Sequence, residues 1–416
     1  MKEMKFSGAM WLGEIPAHWE ADKLKYHLTR REPKNPGNMT VLSLYRELGV
    51  IPKDSRDDNH NQTSEDTSKY KYVKPGNFVV NKMKAWQGSV AVSDYEGIVS
   101  PAYYVYEFSD SAFYKRYFHY LLRGCYKDEF MRLSCGMRVG QWDLSSDDLD
   151  NTFILIPPIA EQERIALFLD AKCAEIDGLI AEIQAQIDVL EQYKKSAVIE
   201  SVTRGVNPEA PLKDSGVQWI GKIPQSWNCT RGKYILQYIS KPTREDDGVI
   251  TCFRDGEVTL RSKRREDGFT MADKEIGYQG IDVGDLVVHG MDGFAGAIGI
   301  SDSRGKASPV LNVLETKQNK RYIMYFLRSM AYGDVFMALA TGIRVRSCDL
   351  RWNKLAELFY PVPPIEEQNA IVEYIDRIIS ETNAIIATKK EQISALEAYK
   401  KSVIFEYVTG KKEVVQ

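Results

Sequence analysis

The sequence predicts an α+β protein: two pseudo-repeated globular domains joined by two long helices that form an antiparallel coiled coil. Three observations predict it. The chain repeats itself once, at an offset of 206–208 residues. Short runs rich in glycine, aromatic and β-branched residues read as strands and turns. Two proline-free segments carry apolar residues at heptad spacing. The length of 416 residues suits two to four domains at roughly 100–200 residues each.

The repeat comes first because it organises everything else. SGAMWLGEIPAHW, with Trp11, Gly13, Ile15, Pro16 and Trp19, returns as SGVQWIGKIPQSW, with Trp219, Gly221, Ile223, Pro224 and Trp227, at an offset of 208. KPGNFVVNKM matches DVGDLVVHGM, and SPAYYVYE matches SPVLNVLE, at 208. GMRVGQWDL matches GIRVRSCDL, IPPIAEQ matches VPPIEEQ, and YKKSAVIESVTRG matches YKKSVIFEYVTGK, at 206. With only two copies of so long a period, this is a duplicated module and not a solenoid. Its parts divide at 1–156, 157–208, 209–362 and 363–416.

Each module opens with about 150 residues of mixed character. YKYVKPGNFVV, SVAVS, DLVVHG and AGAIGIS read as short strands. Tyr114 to Leu122 and Tyr322 to Leu327 read as helices. The aromatic positions that recur identically (Trp11, Trp19, Trp219, Trp227) read as core anchors.

A long helix then follows a proline pair in each copy. Pro157-Pro158 and Pro363-Pro364 set its start, and the Glu-Gln that follows suits a first helical turn. From Glu161 to Val202 there is no proline, a length of about 63 Å at 1.5 Å per residue. Leu169, Cys173, Ile176, Ile180, Ile183, Ile187 and Leu190 step 4-3-4-3-4-3, a coiled-coil seam. Ile375, Ile379, Thr382, Ile386, Lys389, Ile393 and Leu396 repeat it, with two polar members. Antiparallel pairing follows because the second helix must run back to bury the same seam.

Charge and composition narrow the function. The net charge is −3, but the four segments carry 0, −4, +3 and −2, so acid concentrates in the helices and the globular parts keep room for basic faces. No stretch reaches the ~18 apolar residues of a membrane span, and the first residues lack an apolar leader core, so a cytoplasmic protein is expected. The six cysteines show no CxxC pair and read as buried free thiols. No phosphate loop, dinucleotide fingerprint or metal-spaced histidine pair occurs. Asp302, Glu315 and Lys317 make a loose nuclease-like set, but E-x-K triplets are common by chance. A binding or scaffold protein is the better expectation, with no catalytic residue and no cofactor or metal of its own.

W-x-G-x-IP-x-x-W at the start of each copy, G-x-R-x-x-x-x-D-L and PP-I-x-EQ at its end, and a long helix closing in YKKS resemble the DNA-specificity subunit of type I restriction-modification enzymes. The match runs through nearly the whole chain, in order, twice. The resemblance implies that each globular part is a target-recognition domain reading half of a bipartite duplex target. It implies that the helices set the spacer and dock two methyltransferase (modification) subunits, with restriction subunits added for cleavage in host defence. S-adenosylmethionine, ATP and Mg are then expected on those partners. Thr382 and Lys389 are a departure that puts even packing of the second seam in doubt. A coiled-coil adaptor with two protein-binding heads is the competing reading.

DNA binding needs Lys and Arg for phosphates and planar donors for base edges. One candidate group is Arg254, Arg261, Lys263, Arg264 and Arg265, with Tyr45, Arg46, Lys53 and Arg56 as first-copy counterparts. A second is Lys82, Lys84, Trp86 and Gln87, with His289 in the matching stretch. A third is Arg138, Gln141 and Trp142, matched by Arg344 and Arg346, where Arg recurs beside a glycine turn. For any one of these a solvated surface charge is an equal competing reading, except that Arg138 and Arg344, kept in both copies beside a glycine turn, read as DNA contacts.

Overall fold

The structure is a computed structural model, and it describes residues 3–46, 48–55, 66–136, 142–264, 276–339 and 350–414. The chain divides into two compact units: residues 1–183 with 391–416, and residues 184–390. Each unit therefore takes half of each long helix.

In the first unit a four-stranded antiparallel sheet runs in the order Leu28–Arg30, Tyr103–Phe108, Phe78–Asn81, Val90–Val92. Its central strand is apolar on both faces because both faces are covered. Phe78 and Val80 join a core with Trp19, Tyr106, Tyr117 and Phe118, while Val79 joins Leu42, Val73, Ala91 and Val105 on the other side. The second unit repeats the sheet with Leu236–Ile239, Leu311–Thr316, Leu286–His289 and Ile298–Ile300, and the matched strands start at the 208 offset. Val287 pairs with both Val313 and Gly299. The helices read from sequence form as Lys115–Cys125 and Lys320–Tyr332.

The long helices run Ile159–Arg204 and Ile365–Val408. They pair antiparallel within each unit. In the first, the Phe168 ring lies 4.4 Å from that of Tyr407, and Lys400 Nζ reaches Asp177 at 2.7 Å. In the second, Lys389 Nζ donates to Gln186 Oε1 at 2.5 Å and Lys194 Nζ to Asn383 Oδ1 at 2.9 Å. In both, rising numbers on one helix meet falling numbers on the other. Along the paired helices Cys173, Ile176, Ile187 and Ile386 are buried, and Ile180, Ile183, Leu190, Ile379, Ile393 and Leu396 are half-buried. The two polar members of the seam do not break it. Thr382 is buried, and the half-buried Lys389 carries its ammonium out to Gln186.

The helix ends also close the globular cores. Ile165, Leu169, Val403 and Val408 pack in the first, and Val198, Val202, Ile371 and Ile375 in the second. Gly410 ends one helix at φ +72°, where a Cβ would stand 2.5 Å from Pro16 and 3.0 Å from Trp19. Gly205 ends the other at φ +76°, 3.3 Å from Trp227 by the same measure. Both suit a left-handed helix end that only glycine adopts freely. The recurring motif at each module's start is thus a seat for a helix terminus.

Trp19 and Trp227 are fully buried, as expected of anchors. Trp11 and Trp219 are a correction: they are partly buried, against Tyr126 and Phe326. The thiols need a second one. Among the described cysteines, all free, Cys173 and Cys252 are buried, Cys125 and Cys229 half-buried, and Cys135 exposed. No described helix is long and apolar enough to cross a membrane.

Candidate nucleic-acid interface

In each unit part of the candidate set meets at one turn. The first-unit turn spans Lys82 to Gly88 and includes a short 3-10 helix, Ala85–Gln87, that follows the central strand. Arg46 lies just past the end of the strand Leu42–Tyr45, and its Nη2 donates to Gln87 Oε1. The Trp86 ring stands 5.3 Å from the Trp142 ring, and Lys82 Nζ is 2.8 Å from Asp143 Oδ2. Three segments far apart in sequence thus present Arg46, Gln87, Trp86, Trp142 and Lys82 together. Lys84 is exposed on the same turn. Tyr45, half-buried, ends the strand beside Arg46, whereas the half-buried Lys53 lies at the other end of that hairpin, where its N–H donates to the Val41 carbonyl.

The second-unit turn, Gly290 to Gly296, is built alike but carries different chemistry. Arg254, the counterpart of Arg46, reaches Asp292 Oδ1 with Nη2 at 2.9 Å. Asp292 stands at the position of Lys84. His289 Nδ1 accepts the backbone N–H of Asp292 at 2.9 Å and of Met291 at 3.2 Å. Burial holds the His289 pKa below its usual value, which keeps the ring neutral and able to accept. A cavity of about 750 Å³ opens beside this turn, lined by Phe253, Arg254, Arg261, Arg264, Tyr278 and His289 among others. Arg261–Arg264 is a single helical turn after the strand Val258–Leu260.

The cations are more neutralised than the sequence suggested. Arg264 meets Asp255 at 2.5 Å and Glu257 at 2.9 Å while its guanidinium lies 4.1 Å from the Phe253 ring centre. Lys263 bonds Ser303 Oγ at 2.7 Å and lies 3.5 Å from Asp302. The Asp143 carboxylate pushes the Lys82 pKa up. Each such pair removes a unit of positive field but orients a donor, which favours positioned contacts over diffuse attraction. Asp302 and Glu315 of the loose nuclease-like set go to different partners, Lys263 and Lys320. Among the described residues no group of acidic, histidine and cysteine side chains could hold a metal ion. Arg56, Arg138, Gln141, Arg265, Arg344 and Arg346 lie outside the described residues.

Sequence reasoning passed over a second set, the links between module and helix. Gln162 is fully buried. Its Nε2 donates to the carbonyls of Pro157 at 2.8 Å and Ala112 at 2.7 Å, and its Oε1 accepts Tyr114 N–H at 2.9 Å. Gln368 does the same with Pro363 and Asn319. Asp170 takes Arg116 at 2.8 Å and Tyr120 at 2.6 Å; Asp376 takes Arg321 and Tyr325. The signal was present in PP-I-x-EQ, where Gln recurs; the acid partners were hidden by an offset that drifts between 205 and 206.

Residues 32–189 match the family model described as the type I restriction modification DNA specificity domain. The chain is 23% identical to the MjaX type I restriction enzyme specificity subunit of Methanocaldococcus jannaschii, over 97% of this chain and 96% of that one. It is 25% identical to the MjaVIII specificity subunit of the same organism, over 83% of each. A solved chain from work on complex assembly and conformational transition of the type I R-M system shares the fold at a TM-score of 0.67 and 15% identity, over 96% of this chain and 99% of that one. The duplicated module, the paired helices and these matches agree: over nearly its whole length the chain is similar to the DNA-specificity subunits of type I restriction-modification systems, and residues 32–189 match their specificity domain.

Proposed function

We propose that this chain reads a bipartite duplex target, one half-site per module, in the cytoplasm. One observation supports this most. The two modules place an arginine against the same turn, yet the partner is Gln87 in one and Asp292 in the other. Two copies of one frame with different side chains at the reading position suit two different half-sites. The long helices dock two modification subunits, with restriction subunits added for cleavage. Their acid excess repels phosphate, and exposed apolar residues recur on them at the 206 offset, Leu179 with Ile385 and Tyr193 with Tyr399. S-adenosylmethionine, ATP and Mg belong to those partners in this reading.

The test replaces residues 212–361 with the matching region of a relative and maps methylation by sequencing. One half-site should change and the other stay. A change in both, or in neither, overturns the two-reader assignment. A protein-binding adaptor would give no DNA selectivity at all.

A further inference from the structure

We infer that Arg254 reads a guanine in the second half-site and that Asp292 is its positioning residue. The inference deepens the reading above and rests on it.

The geometry is a chain of three side chains. Asp292 is pinned through its own backbone N–H, which donates to His289 Nδ1 at 2.9 Å. With Nδ1 accepting, the ring hydrogen of His289 sits on Nε2, which faces Asp292 Oδ2 at 3.8 Å. The other carboxylate oxygen, Oδ1, takes Arg254 Nη2 at 2.9 Å. Among the described residues that is the one hydrogen bond of the Arg254 side chain, which is 64% exposed at the rim of the 750 Å³ cavity. The remaining donors of the guanidinium fork point to solvent already oriented, and the fork matches O6 and N7 of guanine. Holding it in advance lowers the ordering cost of a contact.

A base edge fits this pair better than a phosphate does. A carboxylate beside a phosphate adds repulsion between like charges, whereas the guanine edge is a neutral acceptor pair. The first unit makes the contrast. Arg46 is held by the uncharged Gln87, and Lys84 stands where Asp292 does. That arrangement keeps its full positive charge.

The test uses the full chain with its modification subunits and a randomised duplex library, sequenced after binding at two salt concentrations. Arg254→Ala should lose on the order of 5- to 100-fold discrimination at one guanine of the second half-site, with other positions kept. Arg254→Lys should not restore it, because an ammonium lacks the fork. Asp292→Asn should weaken discrimination at that same position, and Asp292→Glu should recover part of it. A uniform loss for Arg254→Ala with a shallower salt dependence would make it a phosphate contact and overturn the inference. A changed preference at a different position for Asp292→Asn would make Asp292 a reader itself and also overturn it. If the unmutated complex selects no sequence, the two-reader function fails first.

Discussion

Gln162 Oε1 accepts the backbone N–H of Tyr114 at 2.9 Å, and Gln368 Oε1 accepts that of Asn319 at the same distance. Each glutamine sits in the first turn of a long helix, and each acceptor bond goes to the residue that precedes a module helix. The amide also donates to the proline carbonyl five residues back. One side chain thus fixes the angle at which helix leaves module.

Gln162→Leu should therefore cost more than an ordinary surface change. It leaves the Tyr114 N–H and the carbonyls of Ala112 and Pro157 without their partner; water reaches the half-buried Tyr114 and Ala112, so the buried Pro157 carbonyl, worth about 1–3 kcal/mol when orphaned, carries most of the cost. We expect a loss of roughly 2–4 kcal/mol in the first unit, measured by hydrogen exchange of residues 115–125. Gln162→Glu keeps an acceptor for Tyr114 but sets a buried carboxylate against the carbonyls of Ala112 and Pro157, and should cost at least as much. Unaltered exchange in the leucine variant would show that the amide is not a structural link.

The second seam offers a gain. Thr382 is buried at the position matching Ile176. Its hydroxyl has to be accommodated in an apolar seam. Thr382→Val keeps the shape and removes the hydroxyl, and should raise stability by about 1 kcal/mol. Thermal unfolding checks this. A lower midpoint would mean that the hydroxyl is satisfied and useful.

Acid should loosen the first unit through His119. Burial, with Arg123 and Arg116 adding repulsion, lowers its pKa from 6.5 to about 3. Above pH 6.5 neither folded nor unfolded chain carries this proton, so the group is neutral to stability. Between pH 6.5 and 3 the unfolded chain binds a proton that the folded one refuses, so stability falls as pH falls. The slope is at most about 1.4 kcal/mol per pH unit. His119→Gln should flatten that slope in urea unfolding at pH 7, 6 and 5. An unchanged slope would assign acid sensitivity to other groups.

Lys84 should behave as a phosphate contact. It is exposed on the first-unit turn beside Trp86 and Gln87. Lys84→Ala should weaken binding to all sequences alike and lower the salt slope by about 1. Lost preference at a single base would instead make Lys84 a reader.

The repeat, the two long helices and their seam were legible because they are written in one dimension. Heptad spacing and a 206–208 offset need no partner to be seen. The strands were legible too, since Phe78–Asn81 and Leu286–His289 are short apolar runs between turn residues. The recurring tryptophans were half-legible. Recurrence marks a structural position, but it does not say that Trp19 is enclosed while Trp11 is partly open.

The site was legible in kind and not in detail. Basic and aromatic residues could be gathered into groups, but their meeting on one turn depends on chain segments about 40 to 60 residues apart, as in Arg46 with Gln87 and Lys82 with Asp143. The neutralising acids were invisible for the same reason. A carboxylate's effect on a cation depends on a distance of a few ångströms, and sequence separation does not report it. Periodicity settled which faces turn inward. Only packing decided which polar group each buried or half-buried side chain would meet, because an unpaired polar atom in the interior is costly and takes whatever partner the fold brings near.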